Sequence, residues 1–231
     1  MKNKVQTILI DALILFTVST FFVIAVDRLF ALVGGHAVKT DPIVTAILQD
    51  DTKEVKKLVE ADKQSEPNTE NETANPDTAL NPADLVDDHK RTALMRAAFV
   101  NNYSKEKTAK SDEQRAKMIP LLLDHGAPLE ARDKDGWTAL MWAAWSGLPK
   151  STACLLERGA SPSPAGNQGN TALMLAAGRA NAQIVRMLLE HGADKNTKNN
   201  NGLTALDLAK TGITAYPDKK TEYLKVIKML K

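Results

Sequence analysis

Cysteine occurs once in the 231 residues, at Cys154, so no internal disulfide can form and a Cys-rich zinc site is excluded. Histidine is almost as scarce, and His36, His89, His125 and His191 fall at no metal-ligand spacing. Net charge is only +2 although 25% of residues are charged, too balanced for holding nucleic acid by charge alone. The phosphate-binding glycine loop, the G-x-S-x-G elbow and the H-E-x-x-H pair are all missing. Asp87, Asp88, Asp133 and Asp135 lie in separate turns and lack a calcium loop. The expectation is therefore a chain that is not an enzyme. It has no cofactor or metal, no small-molecule substrate and no nucleic-acid partner. Aromatic residues are few, at 5%, yet all three tryptophans sit in GWTALMWAAW (136–145) as Trp137, Trp142 and Trp145. That concentration needs a reason.

One long apolar run is present. VQTILIDALILFTVSTFFVIAV (5–26) carries Asp11 as its only charge. At 1.5 Å per residue it spans roughly 33 Å as a helix, the thickness of a bilayer core. Asp11 opposes insertion by up to roughly 3 kcal/mol, less than the surrounding Leu, Ile, Phe and Val residues contribute. The sequence predicts a transmembrane helix within an N-terminal segment, 1–36. A retained anchor is favoured by its length, while small-x-small sites after Ala25 and Ala37 keep open a cleaved signal and a secreted product. Lys2 and Lys4 favour a cytoplasmic N-terminus, which suggests a bacterial inner-membrane protein facing the periplasm.

The remainder repeats. TALM recurs at 92–95, 138–141 and 171–174, followed by TALD at 204–207. LLLDHGA (121–127), LLERGA (155–160) and LLEHGA (188–193) form a second landmark whose glycines, Gly126, Gly159 and Gly192, lie 33 apart. This pattern resembles the ankyrin repeat, a 33-residue unit with T-P-L-H-x-A opening its first helix and L-L-x-x-G-A closing its second. The resemblance implies an all-α solenoid over 37–231. Its repeats would fall at about 41–62, 87–131, 133–164, 165–197 and 198–231. Pro is replaced by Ala throughout, and His by Met or Asp. Thr92, Thr138, Thr171 and Thr204 are placed to cap the first helices. Gly126, Gly159 and Gly192 are placed to end the second helices in the left-handed conformation.

Two insertions interrupt the period. Residues 63–86 are polar and rich in Pro and Asn, reading as a long loop. Thr92 and Leu122 are 30 apart where Thr138 and Leu155 are 17 apart, and the extra residues within VNNYSKEKTAKSDEQRAK are expected to lengthen the helix–helix connection. TEYLKVIKMLK at the end reads as an amphipathic closing helix with a lysine-rich outer face.

Trp142 and Trp145 are three apart on a first helix, hence on one face. Repeat positions matching Trp142 hold Arg96 and Leu175, and Phe99 matches Trp145. The resemblance places these variable positions on the concave binding surface. Trp and Arg dominate interface hot spots. Arg96, Phe99, Trp137, Trp142, Trp145 and Leu175 are thus the expected partner-binding residues. The function expected is protein–protein interaction displayed from a membrane, with a secreted effector or an immunity-like inhibitor of an enzyme as alternatives.

Overall fold

The computed structural model describes residues 42–62, 87, 89–100 and 105–231. The expected membrane segment and the polar insert 63–86 lie outside these residues. Among the described residues no helix is long and apolar enough to cross a membrane. Those residues form helices joined by turns, with no strand beyond an isolated bridge between Ala165 and Thr171. Helices come as antiparallel pairs: α1 (Pro42–Leu48) with α2 (Thr52–Asp62), α3 (Ala93–Ala97) with α4 (Lys105–Asp124), α5 (Ala139–Ser146) with α6 (Pro149–Glu157), and α7 (Ala172–Gly178) with α8 (Ala182–Glu190). The chain closes with α9 (Ala205–Ala215), a short 3-10 turn and α10 (Lys220–Leu230).

The repeated residues do repeated work. The hydroxyls of Thr92, Thr138, Thr171 and Thr204 each accept the N–H three residues on, at 3.3–3.4 Å, satisfying an amide the helix start leaves free. Where the resemblance has lost its histidine, other atoms stand in. Met141 Sδ accepts the Thr138 N–H at 3.4 Å, and Asp207 Oδ2 accepts the Thr204 hydroxyl at 2.7 Å. Ala97, Ala98, Ala143, Ala144, Ala176 and Ala177 are fully buried, small enough for adjacent first helices to pack closely. Leu122, Leu155 and Leu188 fill the core from the second helices, each worth roughly 1.5–3 kcal/mol of burial. Gly126, Gly159 and Gly192 follow those helices with φ of 84, 89 and 85°. A backbone ladder joins successive turns, from Lys134 N to His89 O, Asn167 N to Asp135 O and Asn200 N to Gln168 O, at 2.9–3.1 Å.

The insertion between Thr92 and Leu122 departs from expectation. Described from Lys105 onward, it continues the second helix rather than lengthening the connection, so that α4 runs to 20 residues against 9 for α6 and α8. Hydrogen bonds to both neighbouring helix pairs hold the extension. Ser111 Oγ donates to Asp50 at 2.7 Å, Arg115 Nε lies 2.9 Å from Asp50, and Gln114 accepts from Thr52 at 3.0 Å. On the other side Asp112, only 2% exposed, accepts the Lys150 N–H and both the N–H and hydroxyl of Ser151. Lys, Glu and Gln in this stretch are good helix formers, and a helix satisfies its backbone where a loop of equal length would not.

Candidate functional site

The tryptophans occupy two kinds of place. Trp137 ends the turn that begins at Asp133, and Asp133 Oδ1 accepts the N–H groups of Asp135 and Trp137 at 2.9 and 2.8 Å. The other carboxylate oxygen of Asp133 accepts the indole N–H of Trp142 at 2.8 Å. Trp142 and Trp145 follow on α5, with Ala143 and Ala144 between them turned into the core.

All three rings and Phe99 are half-buried and lean on one another. Trp137 and Trp142 have centroids 4.7 Å apart, Phe99 meets Trp142 edge-on at 5.1 Å, and Phe99 stacks on Trp145 at 6.0 Å. The guanidinium of Arg179 lies 4.2 Å over the Trp145 ring. Each such pair contributes roughly 0.5–1.5 kcal/mol beyond area burial. The cluster therefore crosses three helix pairs: Phe99 follows α3, the tryptophans lie on α5 and in the turn before it, and Arg179 follows α7. Gly166 makes room for it, since a Cβ there would lie 2.8 Å from Trp137 Cδ1.

Arg96 belongs to the same edge through a different bond. Its guanidinium pairs with Asp87, which also accepts the backbone N–H of His89 and Arg91 at 2.8 and 2.9 Å. Leu175 differs from the outward position expected for it. It is 6% exposed and packs into the core, so it supports the neighbouring rings rather than presenting surface.

A pairing that the sequence reading missed explains this column. Asp87 lies nine residues before Arg96, and Asp133 nine before Trp142; in both, the second carboxylate oxygen takes the helix residue's N–H. The corresponding pairs are Gly166 with Leu175 and Asn199 with Leu208. Where the helix residue donates, the turn supplies a carboxylate; where it is leucine, the turn does not. The signal was available as a spacing of nine between two columns, whereas each column alone reads as free variation.

The two carboxylates titrate in opposite senses. Burial pushes the Asp133 carboxyl above its usual 3.8, only partly offset by the N–H groups of Trp137, Trp142 and Asp135. Burial also raises Asp87, but the Arg91 N–H and the charges of Arg91 and Arg96 outweigh it and hold Asp87 below 3.8. The folded state thus binds fewer protons at Asp87 and more at Asp133 than the unfolded chain does. Relative to an Asp87→Asn variant, the wild type loses stability as pH falls below 3.8. Relative to Asp133→Asn, it gains stability as pH falls toward 3.8 from above. Thermal melts across the acid range check both signs, and slopes of the same sign in the two comparisons would contradict the assignment.

The histidines and the cysteine, given no site role by the sequence, are quieter. His125 and His191 each place Nδ1 against the carbonyl four residues back, at 2.7 and 2.8 Å, a local bond ending a second helix. Cys154 is half-buried, and burial raises its thiol above the ordinary value, leaving it a poor nucleophile at neutral pH.

Residues 81–165 match a family model of ankyrin repeats in three copies, and residues 155–209 match one of ankyrin repeats in many copies. Together the matches take in more than half of the chain. The chain belongs to the ankyrin-repeat family. No curated protein matches it. Ankyrin repeats generally mediate protein–protein interaction. In this ankyrin-repeat protein the aromatic cluster lies where the turns meet the first helices, and its neighbours are Arg96 and Arg179.

Proposed function

We propose that this ankyrin-repeat protein binds a protein partner through the surface formed by Phe99, Trp137, Trp142 and Trp145 with Arg96 and Arg179 at its edges. The carrying observation is the assembly of every tryptophan of the chain into one half-buried cluster across three helix pairs. Packing alone does not account for it. The Trp145 indole nitrogen is buried with no hydrogen-bond partner among the described residues, a cost of about 1–3 kcal/mol that phenylalanine would avoid. The half-buried Trp rings and Arg96, held by their neighbours, lose little further freedom on binding, which is why such residues act as anchors.

The apolar run 5–26 supports display from a membrane, and Lys2 and Lys4 support a periplasm-facing repeat domain at a bacterial inner membrane. The ankyrin family supports a binding role without chemistry of its own.

The test is capture by the tagged full chain in detergent beside two variants. The Trp142→Ala/Trp145→Ala protein removes the anchors, at roughly 2 kcal/mol or more each. Arg179→Glu reverses the charge over Trp145 while leaving the rings in place. A partner held by the wild type, lost by the double variant and weakened at least about tenfold by Arg179→Glu fits the proposal. Equal capture by all three, with circular dichroism unchanged, would move the site off the tryptophans.

A further inference from the structure

The closing helix α10 buries Tyr223, Val226, Ile227 and Leu230 and turns a second face outward. That face carries Lys220, Leu224, Lys225, Lys228 and Lys231, all exposed and spaced to form one stripe about 16 Å long. Tyr216 and Lys219 lie at its entry, with the Lys219 ammonium 5.9 Å from the Tyr216 ring. The ion pairs found among the described residues involve none of these lysines. Three large apolar side chains stand well exposed among the described residues, and two of them, Tyr216 at 39% and Leu224 at 50%, are here.

We propose that this face of α10, with Tyr216 at its entry, is a contact site for a surface of anionic phospholipid headgroups. Terminal repeats keep a polar outer face for solubility. Solubility is met equally by mixed charge, as on α2, where Lys56 pairs with Glu60 and Lys57 with Glu54. It explains neither a stripe of one sign nor a leucine at its centre. A headgroup layer accepts all three components. Lysine ammoniums on long stems reach the phosphates, Leu224 enters the acyl boundary, and Tyr216 sits at the interface with its hydroxyl in water. Nucleic acid fits less well, because the face has neither arginine forks nor stacked rings. An acidic protein would meet only flexible exposed ion pairs, which bind weakly.

The full chain is mixed with vesicles of phosphatidylglycerol in phosphatidylcholine, and separately with phosphatidylcholine alone. The rate of lysine acylation is then read residue by residue. Residues 5–26 are able to hold the chain on either vesicle, so the contrast between vesicles, not binding itself, is the readout. On the anionic vesicles Lys220, Lys225, Lys228 and Lys231 should react at least about fivefold more slowly, the scale of one lysine's attraction to such a surface. Lys53 and Lys56 on α2 should be unchanged, and high salt should remove the contrast. Replacing three lysines, as K225Q/K228Q/K231Q, should weaken the contact about a hundredfold and abolish the contrast at Lys220. L224Q should weaken it while leaving the charge intact. Equal labelling on both vesicles overturns the proposal, as does equal slowing on α2. So does slowing by duplex DNA or an acidic protein with none by the anionic vesicles.

Discussion

Gly212→Ala should cost about 3 kcal/mol and release the closing helix. A Cβ on Gly212 would lie 2.2 Å from Tyr223 Cε1, inside the ring's own volume. Tyr223 has nowhere to go: it is 1% exposed, and its hydroxyl donates to the Gly178 carbonyl at 2.7 Å. Overpacking of this kind costs roughly 1–3 kcal/mol, and losing the buried hydrogen bond adds about 1 kcal/mol. The expected signature is local. Amides of Lys220–Leu230 should lose hydrogen-exchange protection while those of α5 keep theirs, since each repeat leans chiefly on its neighbours. The cause is separable from glycine's general effect on helices, because alanine there is ordinarily favourable by about 0.5–1 kcal/mol. In a Tyr223→Leu background, where the ring is gone, Gly212→Ala should cost far less. The coupling between the two sites should then approach 2 kcal/mol, within the range for residues in contact. A Gly212→Ala protein that melts with the wild type would mean the ring does not lie against this helix.

How much of this was legible in the sequence follows from what repeats. Thr92, Thr138, Thr171 and Thr204 announced their helices because the capping requirement is local and identical in each copy. The same holds for the buried alanines and for the glycines that end second helices. Less legible was whatever joins one copy to the next through residues that do not repeat. Leu175 reads as surface when compared only with Arg96 and Trp142, and as core once Gly166 is seen in place of Asp133. Trp137 reads as a ring at a turn, whereas its packing depends on a missing side chain in the following copy. Phe99, Trp142 and Trp145 were expected together, and their centroids do lie 5.1–6.0 Å apart. The cover over Trp145 was not legible, because it comes from Arg179, a residue with no matching cation in the other copies. The insertion before Leu122 was misread for a related reason. Its length was plain, but its helical form is supported by partners on two flanking pairs, Asp50 and Ser151, which no window along the chain contains.

Those partners make Asp112→Ala the second large expected loss, about 3–4 kcal/mol. Asp112 stands at the start of α6, whose own N-cap residue, Leu148, has no side chain that accepts a hydrogen bond. A carboxylate from a different helix does that work, taking the N–H of Lys150 at 2.8 Å and that of Ser151 at 2.9 Å. It also holds the Ser151 hydroxyl at 2.7 Å, and Ser151 is fully buried. Truncation therefore removes a charged cap, worth roughly 1–2 kcal/mol, and leaves a buried N–H and hydroxyl without an acceptor, at about 1–3 kcal/mol more. Asp112→Asn separates the contributions. Its carbonyl can keep the two Ser151 bonds, but its amide would set a donor against the Lys150 N–H, so about half the loss should remain. Lys150→Ala tests the alternative that the exposed ion pair with Glu113 matters instead. That pair is open to solvent, and its removal should change stability by less than about 1 kcal/mol. The ordering Ala, then Asn, then Lys150→Ala, read from urea unfolding midpoints, is the result that assigns the junction to the buried carboxylate. If Asp112→Ala and Lys150→Ala proved equally mild, the extension of α4 would be an ornament on the stack rather than the clasp joining its first three helix pairs.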